Sequence, residues 1–201
     1  MFHHPSIHIL KRRYRLLIAG GLIGAALSFL PLLVMPLEYR ADAEVFIITK
    51  TRYGVDPYTV VKSAERVAEN IAAVMKTGDF FQKVMAETAY DFDRARFQNV
   101  SELTKRRRWQ KAVQTDVTYG TGGLTISAYD KNPDKALALA GAAASAISRT
   151  GWEYVGGDVT IKLVNEPIVT RWPARPNALL NALLGLVAGI IAMAAVVMSR
   201  K

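Results

Sequence analysis

The sequence predicts an α+β domain enclosed between two transmembrane helices. Two long runs, residues 16–37 and residues 178–198, contain no ionisable group. A bilayer core of about 30 Å needs roughly 20 apolar residues in a helix, so each run is long enough to span it. Between the runs, segments with helical periodicity are mixed with segments of alternating apolar and polar residues, which is typical of an α+β domain.

Charge orients the two runs in a membrane. Four basic residues lie at positions 11–15, two more lie at 199–201, and neither flank carries an acidic residue. Because short basic flanks stay in the cytoplasm, we expect a two-pass protein of the inner membrane with both termini cytoplasmic. All 17 acidic residues lie between the runs, so the net charge of +9 comes mainly from the flanks and does not indicate nucleic-acid binding.

These boundaries predict five segments. They are a basic cytoplasmic N-terminus at 1–15, a transmembrane helix at 16–37, an extracytoplasmic α+β domain at 38–177, a second transmembrane helix at 178–198 and a cytoplasmic tail at 199–201. The chain has no cysteine, but a domain of this size can build its core without disulfides, burying roughly two-thirds of its unfolded surface.

A cleaved signal peptide is an alternative for the first run, because Ala41-Asp42-Ala43 resembles a cleavage site. The apolar part of a signal peptide is typically about 7–15 residues long, and the run at 16–37 is longer. Cleavage there would also remove part of the strand predicted at 39–50. The length of the run therefore favours an uncleaved anchor.

The domain begins with a strand and continues with helices. Residues 39–50 are rich in β-branched and aromatic side chains, which indicates a strand. From Tyr58 the apolar residues recur with a helical period. Gly78 is a natural end for this helix, and Asp79 is a natural N-cap for the next one, which runs from Phe80 to about residue 89. The inward side chains predicted for the second helix are Phe81, Val84 and Met85.

The rest of the domain is predicted from capping and turn signals. Ser101 can cap a third helix, and a glycine-rich turn at 120–123 joins two alternating strands into a hairpin. Asn132 and Pro133 start an alanine-rich helix, and a last strand covers 158–166. The order is β-α-α-α-β-β-α-β. If the first and last strands are neighbours in the sheet, the domain is supported by the two transmembrane helices side by side.

A proline-rich stem at 166–177 leads from the last strand to the second apolar run. Proline fixes φ and holds the preceding residue extended, so we expect a semi-rigid strut that transmits orientation between domain and helix. The alternative is that these prolines merely end a strand and start a helix. The stem residues are Pro167, Pro173, Pro176 and Asn177.

Both apolar runs contain a small-xxx-small motif that favours helix packing in membranes. The motifs are Gly20 with Gly24 and Gly185 with Gly189. At about 1.5 Å per residue their depths from the cytoplasmic side differ by roughly 8 Å. This difference argues against pairing within one chain and favours contacts between like helices of neighbouring copies. The alternative is that glycine is simply frequent in membrane helices.

The densest charge in the sequence lies in the third helix of the domain. This cluster could bind an anionic glycan or a lipid-linked phosphate, or pair with a neighbouring subunit, and Trp109 could stack on a sugar. A run of this kind is more often a solvated helix face, and the tryptophan more often a packing residue. The residues of the cluster are Lys105, Arg106, Arg107, Arg108 and Trp109.

No constellation of the sequence indicates catalysis. It shows no Ser/His/Asp set, no paired carboxylates in a motif and no phosphate-binding loop, so we expect a protein that is not an enzyme and needs no cofactor. Metal binding by His3, His4 and His8 is not expected either, because they lie near the N-terminus, where helices fray.

Four stretches, taken in order, carry a resemblance to a known family. They are "YRADAEVFI" after the first run, "VAENIAAVMKTGDFFQKVMAE", "LTISAYDKNPDKALALAGAAASAI", and "EPIVTRWPARPNALLNALLGLVAG" leading into the second run. Together they resemble the polysaccharide co-polymerases, the Wzz-like chain-length determinants. The domain is shorter than in many members, and no GxxxxGK[ST] motif follows the second run, so the resemblance is to a short form without a kinase domain.

The resemblance implies a non-catalytic protein that forms rings of several copies and regulates the chain length of an O-antigen, capsule or exopolysaccharide. Its implied partners are further copies of itself, a polysaccharide polymerase or the nascent glycan, and membrane lipids. Related short members suggest an alternative, a membrane adaptor that activates or recruits a cytoplasmic tyrosine kinase or an exporter. With a tail of only 199–201, kinase contacts would have to come from residues 1–15. A third alternative is an envelope sensor with no glycan role.

Overall fold

The computed structural model describes residues 13–49, 56–156 and 159–199. Some sequence-based predictions fall wholly or partly outside these residues. They concern the three histidines, the first basic residues, the loop after the first strand, the start of the last strand and the end of the tail, namely His3, His4, His8, Lys11, Arg12, 50–55, 157–158 and 200–201.

The chain divides into two compact units, which are described separately. The helical unit consists of Met1–Leu37 and Arg175–Lys201, and the α+β unit consists of Glu38–Ala174. In chain order the helices are α1 (Tyr14–Ser28), α2 (Pro57–Val74), α3 (Gly78–Met85), α4 (Glu102–Ala112), α5 (Pro133–Thr150), α6 (Trp152–Val155) and α7 (Ala178–Ser199). The strands are β1 (Tyr39–Thr49), β2 (Val113–Thr118), β3 (Gly123–Asp130) and β4 (Val159–Val169).

The α+β unit is built on one antiparallel sheet with strand order β2-β3-β1-β4. Strand β1 is paired on both sides, with Ala43 opposite Ile126 of β3 and Ile47 opposite Ile161 of β4. The first and last strands are therefore neighbours, and the predicted α+β class and order of elements are confirmed. The short helix α6 and a 3-10 turn at Ala95–Phe97 were not predicted.

One face of the sheet forms the core of this unit. Alternate residues of β1 are buried, from Ala41 to Ile47, because successive side chains of a strand point to opposite faces. The alanine-rich helix α5 packs on β1, β3 and β4. Its small side chains allow close approach, and a Cβ on Gly141 would lie 2.6 Å from the ring of Tyr90.

A second part of the core is an aromatic cluster around Trp109. The ring centroid of Trp109 lies 5.3 Å from that of Phe81, 6.1 Å from that of Phe97 and 6.2 Å from that of Phe80. The Trp109 indole N–H donates to the carbonyl oxygen of Met75 at 2.8 Å. This hydrogen bond satisfies the polar end of a buried indole and ties α4 to the chain just after α2.

The junction of α2 and α3 differs from the prediction. Thr77 is the N-cap of α3, because its hydroxyl accepts the amide hydrogen of Phe80. Gly78 is the first residue of α3 instead of the end of α2, and Asp79 accepts a hydrogen bond from the Tyr154 hydroxyl.

The inward face predicted for α3 is confirmed for Val84, and it omitted Phe80. Phe80 and Val84 are fully buried, whereas Phe81 and Met85 are only partly buried at the margin of the core. Tertiary packing decides this face, because Phe80 and Phe81 are equally apolar and a short helix offers little periodicity to choose between them.

The helical unit contains two helices that are long and apolar enough to cross a membrane. The candidate spans are Tyr14–Leu33 and Ala178–Ser199, and most of their large side chains are exposed. Helix α1 ends at Ser28 and is followed by a 3-10 turn at Pro31–Leu33, so the first span is shorter than the uncharged run. Pro31 fits this change, because it lacks the N–H that would continue an α-helix.

The aromatic cluster provides a test of the fold. Replacing Trp109 with alanine removes a buried indole and its hydrogen bond, and should lower the free energy of unfolding by about 3–5 kcal/mol. Trp152→Ala is the control, since Trp152 is 55% exposed and should cost only about 0.5 kcal/mol. Urea unfolding of the full-length protein in mild detergent, followed by near-UV circular dichroism, measures both. Equal losses in the two variants would contradict the central place of Trp109.

Candidate functional site

Four glycines bring α1 and α7 into direct backbone contact within one chain. A Cβ on Gly185 would lie 2.6 Å from the carbonyl oxygen of Gly24, and a Cβ on Gly20 would lie 3.0 Å from the carbonyl oxygen of Gly189. Residues with side chains do not fit at such separations, so both small-xxx-small motifs are used in this contact. The helices run antiparallel, because Gly20 lies against Gly189 and Gly24 against Gly185.

This contact corrects the expectation that the two motifs do not pair within a chain. Measured from Tyr14 and Ser199, where the helices begin and end, the motifs lie at depths of about 9–15 Å and 15–21 Å. The two depths therefore differ by about 6 Å, which is roughly one helical turn. Antiparallel helices whose ends are offset by one turn bring the glycines level.

The predicted stem begins inside the sheet. Strand β4 continues to Val169 instead of ending at Glu166, so Pro167 lies within it. Here the register of β4 against β1 shifts, with Asn165 opposite Glu44 but Ile168 opposite Asp42. Proline is tolerated at this place because β4 is an edge strand and its pairing is irregular.

Beyond β4, backbone hydrogen bonds hold the stem beside the start of β1. The amide of Thr170 donates to the carbonyl of Arg40 at 2.7 Å, and the amide of Ala174 donates to the carbonyl of Glu38 at 2.8 Å. Pro173 lies between these two bonds. The stem of the α+β unit is thus restrained by strand-like bonding as well as by proline.

The last two stem residues belong to the helical unit. The side-chain oxygen of Asn177 accepts the amide hydrogen of Leu180 at 3.1 Å and caps the start of α7. Pro176 precedes this cap and follows a cis peptide bond from Arg175. For Asn177, the interpretation as a helix start is therefore supported by its contacts.

The four cations of the basic cluster, residues 105–108, lie on different sides of α4. Successive residues of a helix are about 100° apart, so four consecutive cations cannot share one face. Lys105 pairs with Glu102 at 2.6 Å, and Arg108 donates to the carbonyl oxygen of Arg96 at 2.5 Å. Arg106 and Arg107 between them are exposed. The cluster is therefore several separate contacts and not one uniform cationic surface.

Trp109 does not belong to this surface. It is 1% exposed and lies inside the aromatic cluster described above. This burial argues against stacking of the ring on a sugar and supports the favoured interpretation of Trp109 as a packing residue. Its burial follows from helical spacing, since α4 must place one apolar side against the unit while its cations face outward.

A cavity of about 450 Å³ opens beside α4. Its walls come from the chain after α2, the first turns of α3 and the first turns of α4. The volume lies in the range of small-molecule sites, roughly 300–1,000 Å³. The cavity is lined by Lys105 and Trp109 together with Lys76, Thr77, Gly78, Phe81, Gln82, Glu102, Leu103 and Arg106.

An ion pair between residues far apart in sequence connects the 3-10 turn at Ala95–Phe97 to the end of β3. Arg96 contacts the carboxylate of Asp130 at 2.7 Å and donates to the carbonyl of Tyr129 at 3.1 Å. Burial lowers the pKa of the Arg96 guanidinium from its ordinary value, while Asp130 opposes that shift. Sequence reasoning did not identify this pair, because neither residue belongs to a recognisable motif.

A buried carboxylate holds the β2–β3 turn. Glu65 on α2 pairs with Lys62 at 3.1 Å and accepts the amide hydrogen of Gly120 at 3.3 Å. The pKa of Glu65 is lowered, first by its hydrogen bond to Lys62. Gly120 and Gly122 have φ of 78° and 74°, a conformation that explains the glycines of the turn.

Among residues 13–49, 56–156 and 159–199, no group of three or more potential metal ligands lies together. No protein-family model matches the chain, and a search of curated proteins finds no match. Support for a function therefore comes from the residues of this chain and from the resemblance of its four stretches.

Cysteine cross-linking distinguishes glycine contacts within a chain from contacts between copies. The Cβ of Ser28 lies 2.6 Å from the position of a Cβ at residue 185, so Ser28→Cys with Gly185→Cys should oxidise within one chain after the helices separate by about 1 Å. The chain has no native cysteine to interfere. We expect cross-linked product at monomer mass on a denaturing gel, with the two helices still joined after proteolysis of the α+β unit.

The matched control is Ser28→Cys with Val187→Cys, because Val187 is exposed on the other side of α7. This pair should give little product at monomer mass. Cross-linking of the first pair solely into dimers would instead place the glycine contact between copies.

Proposed function

We propose that the chain is a non-catalytic, oligomeric inner-membrane protein that regulates the chain length of a surface polysaccharide, such as an O-antigen, a capsule or an exopolysaccharide. The observation that carries the proposal is the pairing of β1 with β4. Strand β1 follows α1 in the chain and β4 precedes α7, so the two connections to the apolar helices leave the sheet from adjacent strands. The resemblance of the four stretches to the polysaccharide co-polymerases is the reason for proposing a polysaccharide as the target.

The proposed mechanism uses repeated weak contacts. An α+β unit of 38–174 offers only a small surface to a polymer, but several copies in a ring offer the same contact many times. Binding at several linked sites is stronger than at one, because each later contact forms at high effective concentration. A glycan would then stay with the complex until its length alters the balance between further growth and release.

The helix contact changes where copies are expected to meet. Because Gly20, Gly24, Gly185 and Gly189 already pack against each other within one chain, they leave no glycine surface for a neighbour. Contacts between copies would therefore use the α+β unit and the exposed sides of α1 and α7. This proposal replaces the sequence-based expectation that the glycines join neighbouring copies.

The proposed topology can be tested by thiol labelling in intact spheroplasts. Gln110→Cys places a thiol at an exposed position of α4, and Ser6→Cys places one in the N-terminal segment. A membrane-impermeant maleimide should label Gln110→Cys directly and Ser6→Cys only after permeabilisation. Labelling of both thiols in intact spheroplasts would exclude the two-pass arrangement.

Deletion of the gene tests the function. We expect the surface polysaccharide to change its length distribution, seen on a gel as a broader or shifted ladder, while sugar synthesis continues. Restoration by the wild-type gene is the control. A complete loss of repeat-unit assembly would contradict the proposal and place the protein upstream. Normal chain length with reduced tyrosine phosphorylation would favour the adaptor alternative, and no change in either would favour a sensor.

A further inference from the structure

The cavity beside α4 carries a surplus of positive charge. Lys76 and Arg106 both line it, and neither forms an ion pair within the described part of the chain. Lys105 also lines it but is paired with Glu102 at 2.6 Å, so these two charges offset each other. Lys76 and Arg106 thus line one cavity, and neither is paired with a carboxylate of the described residues.

The remaining side chains of the cavity are suited to a sugar. Gln82 and Glu102 are exposed and can exchange hydrogen bonds with hydroxyl groups. Phe81 and Leu103 supply apolar surface, and Leu103 is 73% exposed at the rim. A sugar combines hydroxyl groups with apolar C–H faces. A bare phosphate would use only the donors, and an acyl chain would use only the apolar surface.

The wall of the cavity is held in place before any ligand binds. Trp109 lies three residues after Arg106 on α4, and its N–H bonds the carbonyl of Met75, the residue before Lys76. The ring of Phe81 packs against Trp109 with centroids 5.3 Å apart. The backbone positions that carry the two cations are therefore joined through one buried side chain, which lowers the entropy cost of binding.

The geometry points to a binding site for an acidic sugar, one that carries a carboxylate or a phosphate group. Lys76 and Arg106 contact the anion, and Gln82 and Glu102 contact the hydroxyl groups. This inference rests on the proposed function and deepens it, because it places the glycan contact of each copy at the α3–α4 cavity. Arg107 and Arg108, although part of the same basic run, do not line this cavity.

Binding to the purified full-length protein in mild detergent tests the site. The probes are trigalacturonate, its neutral counterpart galactotriose and inorganic phosphate, measured by isothermal titration calorimetry. Wild-type protein should bind trigalacturonate more tightly than either other probe. Lys76→Ala with Arg106→Ala removes two charge-assisted hydrogen bonds and should weaken binding of trigalacturonate about tenfold or more.

The matched control is Arg107→Ala with Lys162→Ala, which removes the same net charge from exposed positions outside the cavity. It should leave the affinity for trigalacturonate within about twofold of wild type. Both double variants replace exposed side chains, so their thermal unfolding midpoints should equal that of wild type.

Four results would overturn the inference. Equal weakening in both double variants would show binding by overall charge. Equal affinity for galactotriose would remove the role of the cations, and no binding of trigalacturonate would remove the site. Tighter binding to phosphatidylglycerol vesicles than to trigalacturonate would assign the cavity to a lipid headgroup. These measurements use purified protein, whereas the gene deletion is tested in cells. A negative binding result would therefore reject the site without deciding the proposed function.

Discussion

Strand β1 is the element on which the α+β unit depends, because in the strand order β2-β3-β1-β4 it joins β4 to β3. Its pairing with β3 connects it to the hairpin, and its pairing with β4 brings the last part of the unit back to the first. The buried side chains from Ala41 to Ile47 also form part of the surface on which α5 packs. Loss of the β1–β4 ladder would release both β4 and the stem that is hydrogen-bonded beside Glu38 and Arg40.

Elements with local signals were predicted well from the sequence. Ser101 and Asn132 cap helices as expected, because an N-cap needs only a side-chain oxygen and the next turn of backbone. The glycines between β2 and β3 are likewise a local signal, because two of them have positive φ, which glycine adopts most easily. The helix end predicted at Gly78 was wrong, because Thr77, Gly78 and Asp79 can each cap or break a helix. In the structure the hydroxyl of Thr77 accepts the amide hydrogen of Phe80, so Thr77 is the N-cap of α3.

Features that depend on distant residues were not predictable in the same way. Arg96 and Asp130 have no pattern that links them, and the aromatic cluster unites residues of three separate segments. In the candidate site, the sequence identified the cations of 105–108 but not their division around α4, and it did not identify Lys76 as a companion of Arg106. The glycine contact was misjudged because the ends of the two helices were assumed to lie level, whereas they are offset by about one turn.

The glycine contact between α1 and α7 has a consequence for biosynthesis. The ribosome must add residues 29–177 between the two helices, which takes roughly 7–30 s at typical rates of 5–20 residues per second. During that time α1 has no partner for Gly20 and Gly24, because α7 has not yet been made. The helix pair closes only after the whole α+β unit has been synthesised. A chain interrupted at any earlier point would keep Gly20 and Gly24 without their partner glycines, and this open helix face would distinguish it from the finished protein.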